Sequence, residues 1–120
     1  MEQGGQVPHF DVVDITGRRV AYADIWQRQH LVLVTLDDAG GVARPDVAAV
    51  VARAPDIRRH DAVLVVTTEP IADLPRPGAI VADRWGEVQT IISGIPDPNE
   101  LIDWVEYVQH RCPECEGEAR

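Results

Sequence analysis

Two thiols stand close together near one end of the chain, in Cys112-Pro113-Glu114-Cys115. At this spacing a cysteine pair can hold one metal ion or close a small disulfide ring. His110, just ahead of the pair, is a candidate third ligand. The candidate metal set is therefore Cys112, Cys115 and His110, with zinc as the cofactor it suits, and the candidate redox set is Cys112 with Cys115. Their placement works against nucleophilic chemistry. The pair follows the last predicted helix, where the helix dipole is negative, and Glu114, Glu116 and Glu118 lie beside it. Both effects disfavour a thiolate and push the thiol pKa values up. A bound cation reverses that balance by removing the thiol proton outright. On the residues alone, a metal site, a reversible disulfide and no role all stay open.

A second group of candidates lies in the loop Asp37 to Pro45. Gly40 and Gly41, with Arg44 adjacent, form a candidate ligand-binding nest for a small anion at a helix N-terminus. Asp37 and Asp38 would repel such an anion; they read as a carboxylate pair for a hard metal or as a solvated loop start. His9, His30 and His60 have no partner motif and are expected at the surface. Trp26 and Trp104 fall on apolar faces and are expected in the core. Trp85, at a hairpin tip, is expected to pack across its own hairpin, with a partner-facing anchor as the other reading.

The elements that position these residues alternate between strand-type and helix-type patterns, the mark of an α/β layer architecture. A strand over His9–Asp14 turns at Thr16-Gly17 and returns over Arg18–Ala21, followed by a helical turn over Ala23–Gln27. Leu31–Leu36 is a continuous apolar, largely β-branched run, as expected of a central strand buried on both faces. A helix carrying Val47, Val50, Val51 and Ala54 follows, ended or kinked by Pro55. Ala62–Thr67 is a second such strand, expected beside the first as a parallel inner strand. After the Pro-rich stretch Pro70–Pro77, Ala79–Asp83 and Glu87–Ile92 form a predicted hairpin. Asp97-Pro98-Asn99-Glu100 opens the last helix with a cap, a proline at the first helical position and a capping-box glutamate. Leu101, Trp104, Val105 and Val108 line one face of that helix.

This order, with Gly5, then Val7-Pro8-His9-Phe10-Asp11-Val12-Val13-Asp14, then Thr16-Gly17-Arg18-Arg19-Val20, resembles the peroxiredoxin or redoxin branch of the thioredoxin-like superfamily. Val81-Ala82-Asp83-Arg84-Trp85-Gly86-Glu87-Val88 is similar to the late Asp-x-x-Gly hairpin of the same group. The resemblance covers about residues 5 to 110. It implies a thioredoxin-like three-layer α/β/α fold with a central mixed sheet and a C-terminal helix. It also implies a catalytic cysteine in the loop after the central strand, where helix N–H groups stabilise a thiolate. Asp37 to Pro45 holds no cysteine, so no catalytic residue carries over, and peroxidase or thioredoxin-type reductase chemistry by that route is not expected.

A length of 120 residues fits one domain, here read as 1–111 with an acidic tail at 112–120 that carries the cysteine pair. The net charge of −9 argues against nucleic-acid partners. All eleven basic residues are arginine, so lysine Schiff-base chemistry is excluded. No apolar run is long enough for a membrane span and no signal peptide is recognised, so a cytoplasmic protein is expected. Three functions remain: a non-catalytic module that binds a protein partner or forms a homodimer, with the cysteine pair as a metal or redox handle; a thiol–disulfide oxidoreductase using Cys112 and Cys115; and a small-molecule binder at the cysteine-free loop. For the homodimer, cysteine pairs from two subunits would complete a four-thiolate zinc site.

Overall fold

The computed structural model describes residues 2–110. Six strands and three α-helices follow in the order β1 (Asp11–Val13), β2 (Arg19–Ala21), β3 (His30–Thr35), α1 (Pro45–Ala52), α2 (Ala54–Arg59), β4 (Ala62–Thr67), β5 (Gly78–Ala82), β6 (Val88–Ser93) and α3 (Pro98–His110). β4, β3, β5 and β6 form a mixed sheet in that spatial order, and β1 and β2 a separate antiparallel pair. β3 runs parallel to β4 and antiparallel to β5, and β5 and β6 pair antiparallel with a register shift at Val81/Ala82.

Every residue of β3 is buried, as its unbroken apolar run requires. The two-residue period of the strand then divides its side chains between two cores. Val32 and Val34 pack with Val47, Val50, Ile57, Leu101 and Val105, so all three helices lie on that face. Leu31 and Leu33 pack with Phe10, Val12, Tyr22, Ile25, Ile71 and Leu74. The second outer layer is thus built from the N-terminal hairpin, a 3-10 turn over Tyr22–Asp24 and the Pro-rich connection from β4 to β5.

Three expectations need correction. β4 is parallel to β3 but is an outer strand of the four-stranded sheet, not an inner one. β1 is three residues long and spends its pairing on β2, so the first hairpin meets β4 only at its end. There the Thr67 hydroxyl donates to the Val13 carbonyl at 2.8 Å and the Ile15 N–H to the Val66 carbonyl at 2.9 Å. The helical stretch does break ahead of Pro55, as expected: α1 ends at Ala52, and Pro55 stands in the first turn of a new helix, α2, where its missing N–H leaves no intrahelical bond unmade. At α3 the Asp97 carboxylate accepts the Asn99 N–H at 2.7 Å, as its capping role requires. The carboxylate of Glu100, the expected second arm of a capping box, makes no hydrogen bond among the described residues. Among those residues no helix is long and apolar enough to cross a membrane.

Candidate functional site

The loop after β3 is set by the residues that end the strand. The Leu36 N–H still reaches the Thr67 carbonyl at 2.8 Å, and from Asp37 the chain leaves the sheet. A 3-10 turn over Ala39–Ala43 follows, and its cap is Asp38, whose carboxylate accepts the Gly41 N–H at 3.0 Å. The small residues fit this geometry, since a Cβ on Gly40 would lie 3.1 Å from the Asp38 carboxylate. Arg44 holds Asp46 through two bonds, Nε to Oδ1 at 3.0 Å and Nη2 to Oδ2 at 2.8 Å. The hydrogen bond from Arg44 keeps the Asp46 carboxyl below the usual carboxylate range. Asp46 also accepts the Val47 N–H at 3.0 Å, which fixes it to the first turn of α1.

The connection between β4 and β5 braces the loop from the side. Arg76 donates to the Leu36 carbonyl at 3.2 Å, the Asp37 carbonyl at 3.3 Å and the Thr68 carbonyl at 2.5 Å, which ties the ends of β3 and β4 together. The buried Thr35 hydroxyl donates to the Pro75 carbonyl at 2.6 Å. The Arg76–Pro77 peptide is cis, and Gly78 follows it. A side chain at Gly78 is impossible without movement, because its Cβ would stand 2.6 Å from Pro75 and 2.9 Å from the Ile92 carbonyl.

Gly40, Gly41 and Arg44 are therefore brought together in one loop, with the loop's own carboxylates already on them. An incoming anion would have to displace Asp38 from Gly41 and compete with Asp46 for Arg44. The loop carries no thiol, since both cysteines of the chain are Cys112 and Cys115, which lie outside the described residues. His110 is the last residue of α3, exposed, with Nδ1 2.9 Å from the Glu106 carbonyl. Among the described residues no three His, Cys, Asp or Glu side chains are grouped to hold a metal ion.

A second polar cluster lies at the β5–β6 turn, which the sequence marks as an Asp-x-x-Gly hairpin and not as a site. Asp83 is buried, and its Oδ1 accepts the N–H groups of Trp85 and Glu87, both at 2.9 Å. The Gln89 amide approaches Oδ2 at 3.4 Å. Gly86 closes the turn at φ +85, a conformation that glycine adopts without strain. The Tyr22 ring is buried under this turn, and its hydroxyl has no hydrogen-bond partner among the described residues. Burial, with a smaller contribution from Asp83, pushes the Tyr22 pKa up to about 12.

The expected surface position of His30 is also corrected, because it is the first residue of β3 and is buried beneath the same turn. Its Nδ1 accepts the Arg84 N–H at 3.0 Å, and the Arg84 guanidinium, 2.5 Å from Asp61, lies 3.4 Å from Nε2. Burial, followed by the nearby Arg84 charge, lowers the His30 pKa. The signal in the sequence was its position directly before the buried run Leu31–Leu36. Trp26, expected in the core, is 37% exposed; its indole N–H donates to the Trp85 carbonyl at 3.3 Å, and His9 meets its ring edge-on at 5.1 Å. Trp85 is itself 41% exposed at the hairpin tip.

Trp104 is half-buried, partly in the helix-side core and partly in the wall of a groove. This groove, of about 480 Å³, is lined by Gln3, Gln89, Glu100, Asp103, Trp104 and Tyr107. The Trp104 and Tyr107 rings stand edge to face, with centroids 5.8 Å apart.

No protein-family model matches the chain, and no curated protein matches it. Solved structures do. Thioredoxin peroxidase I of Plasmodium yoelii superposes with a TM-score of 0.72 at 13% identity, over 93% of this chain and 97% of its own. Peroxidoxin BcpB of Mycobacterium tuberculosis gives 0.67 at 15% identity, over 93% and 99%. A putative thioredoxin of Neisseria meningitidis gives 0.63 at 14% identity, over 95% of each chain. The protein thus has a thioredoxin-like α/β fold of the kind found in peroxiredoxins, with the mixed sheet and C-terminal helix in place. Identities of this size carry the fold and not the chemistry.

Proposed function

We propose that the protein is a non-catalytic, redoxin-like binding module. The observation that carries this reading is the loop at the end of β3. It holds no thiol, its Gly41 N–H is taken by Asp38, and its one arginine is taken by Asp46. A peroxidatic or disulfide-exchanging site needs a thiolate stabilised by exposed helix N–H groups. This loop supplies neither the sulfur nor an unoccupied Gly41 donor. Hydrogen peroxide consumption with a thiol reductant is therefore expected to stay at background. Turnover that disappears in Cys112→Ser would instead make the protein a thiol–disulfide oxidoreductase acting through its last residues.

On the same reading Cys112 and Cys115 are a metal or redox handle, supported by their spacing. With zinc the pair would also join two copies of the chain, giving a homodimer as one form of the partner complex. Thiol titration of untagged protein is expected to find the pair masked until reductant or chelator is added. Two reactive thiols under every condition would remove the handle.

A further inference from the structure

Residues 100, 103, 104 and 107 recur at the spacing that places side chains on one stripe of a helix. On α3 this stripe lies beside the buried one, which carries Leu101, Val105 and Val108. Only Trp104 of this stripe also packs against the core, and the stripe as a whole forms one wall of the 480 Å³ groove, with Gln3 and Gln89 completing the lining. That volume lies within the range of small-molecule sites. Gln89 is buried and its amide donates to the Glu87 carboxylate at 3.0 Å, so this part of the wall is held in place.

The lining selects a chemistry. The Glu100 and Asp103 carboxylates make no hydrogen bond and no ion pair among the described residues, and both residues are exposed, so two carboxylates line the groove with no counter-charge among those residues. That charge disfavours an anion. A hard metal ion is a poor fit, because it would have to exchange water for a wall that is half aromatic. The aromatic pair suits a different cation. With Trp104 and Tyr107 at 90°, one ring presents its edge to the other, and its own faces stay uncovered by its partner. A weakly hydrated organic cation gains from such a π face and from carboxylates at the same time. The excess of 20 acidic over 11 basic residues adds a field that draws cations toward the surface.

We propose that this groove binds a small organic cation, an alkylammonium or guanidinium compound, held between the Trp104–Tyr107 pair and the carboxylates of Glu100 and Asp103. The site is separate from the loop after β3 and from the cysteine pair. Failure of the proposal leaves the non-catalytic reading standing, since peroxide turnover tests that reading alone.

The test follows the indole N–H resonances of the three tryptophans by NMR at low ionic strength. Choline and agmatine are the cationic probes, and 3,3-dimethyl-1-butanol is the uncharged counterpart of choline. The Trp104 resonance is expected to move saturably with both cations, and at least about tenfold more weakly with the alcohol. The Trp26 and Trp85 resonances should stay in place. Glu100→Gln with Asp103→Asn should weaken cation binding about tenfold or more. Tyr107, at 51% exposure, can be replaced with little disturbance of the core, so Tyr107→Leu gives an independent loss of affinity. Equal affinity for the alcohol, a shift that never saturates, or binding unchanged in both variants would overturn the proposal. So would a response to an arginine-rich peptide with none to either small cation.

Discussion

Asp83→Ala is expected to lower the stability of the folded protein by about 3 kcal/mol, because it removes a buried carboxylate that accepts two backbone N–H groups of its turn. Asp83 is 7% exposed, and its carboxylate accepts two part-buried backbone N–H groups, of Trp85 and Glu87, within the turn. Charge-assisted bonds of this kind are the stronger ones, and a buried N–H left without a partner costs more than the bond itself contributes. The turn also fixes Arg84, which lies over His30, and Gly86, which lies over the Tyr22 hydroxyl. Loss of Asp83 thus loosens the roof over the start of β3. Asp83→Asn keeps an acceptor oxygen and is expected to lose about half as much. Urea unfolding followed by tryptophan fluorescence measures both. A loss below about 1 kcal/mol for the alanine variant would mean that the turn holds without its carboxylate.

Leu33→Ala is expected to be as damaging or more so, at about 3–4 kcal/mol. Leu33 is fully buried in the middle of β3, opposite Val65 on one side and Ile80 on the other. Its face is covered by thin elements: the first hairpin, a 3-10 turn and the Pro-rich connection. Their apolar contacts to β3 anchor these short elements, so a cavity there is poorly filled by relaxation. The same truncation on the helix side, at Val34, removes fewer methylenes and should cost less. Calorimetric or urea unfolding separates the two. Equal losses at the two positions would mean that the helix side loses more per methylene removed, against the expectation that the cavity at Leu33 is the more costly one.

The framework was legible because its signals are local. The runs Leu31–Leu36 and Ala62–Thr67 are apolar and rich in β-branched residues, so period and propensity agree, and both became strands within one residue of the expected bounds. The Asp97-Pro98 start of α3 was legible for the same reason, since the cap and the first-turn proline lie within two residues. What was hidden depends on long-range placement. Nothing local in Ala62–Thr67 tells an outer strand from an inner one; that follows from how little of β1 reaches it. His30 looks like a strand edge in sequence, and only the turn at Asp83–Gly86, more than fifty residues away, buries it. Trp104 was read as core from its helical phase. Its position at the border of the buried stripe lets it serve the core and the groove together.

The candidate site was legible as a location and not as an arrangement. Gly40, Gly41 and Arg44 do sit together at the end of the central strand, as their order implied. Asp38, which the sequence presents with Asp37 as a carboxylate that would repel an anion, and Asp46, which the sequence did not single out, take the same donors that an anion would use. That pairing turns a loop with the outline of a binding nest into a closed, cross-braced turn, with Arg76 tying it to the next strand.

The most direct measurement of that central claim is peroxide turnover. Hydrogen peroxide consumption is measured with excess thiol reductant for the wild-type protein and for Cys112→Ser and Cys115→Ser. All three are expected to match the rate of the reductant alone, because the loop from Asp37 to Pro45 contains no sulfur to be oxidised. Consumption by the wild type above that rate, lost in Cys112→Ser, would contradict the account and make the protein a thiol enzyme.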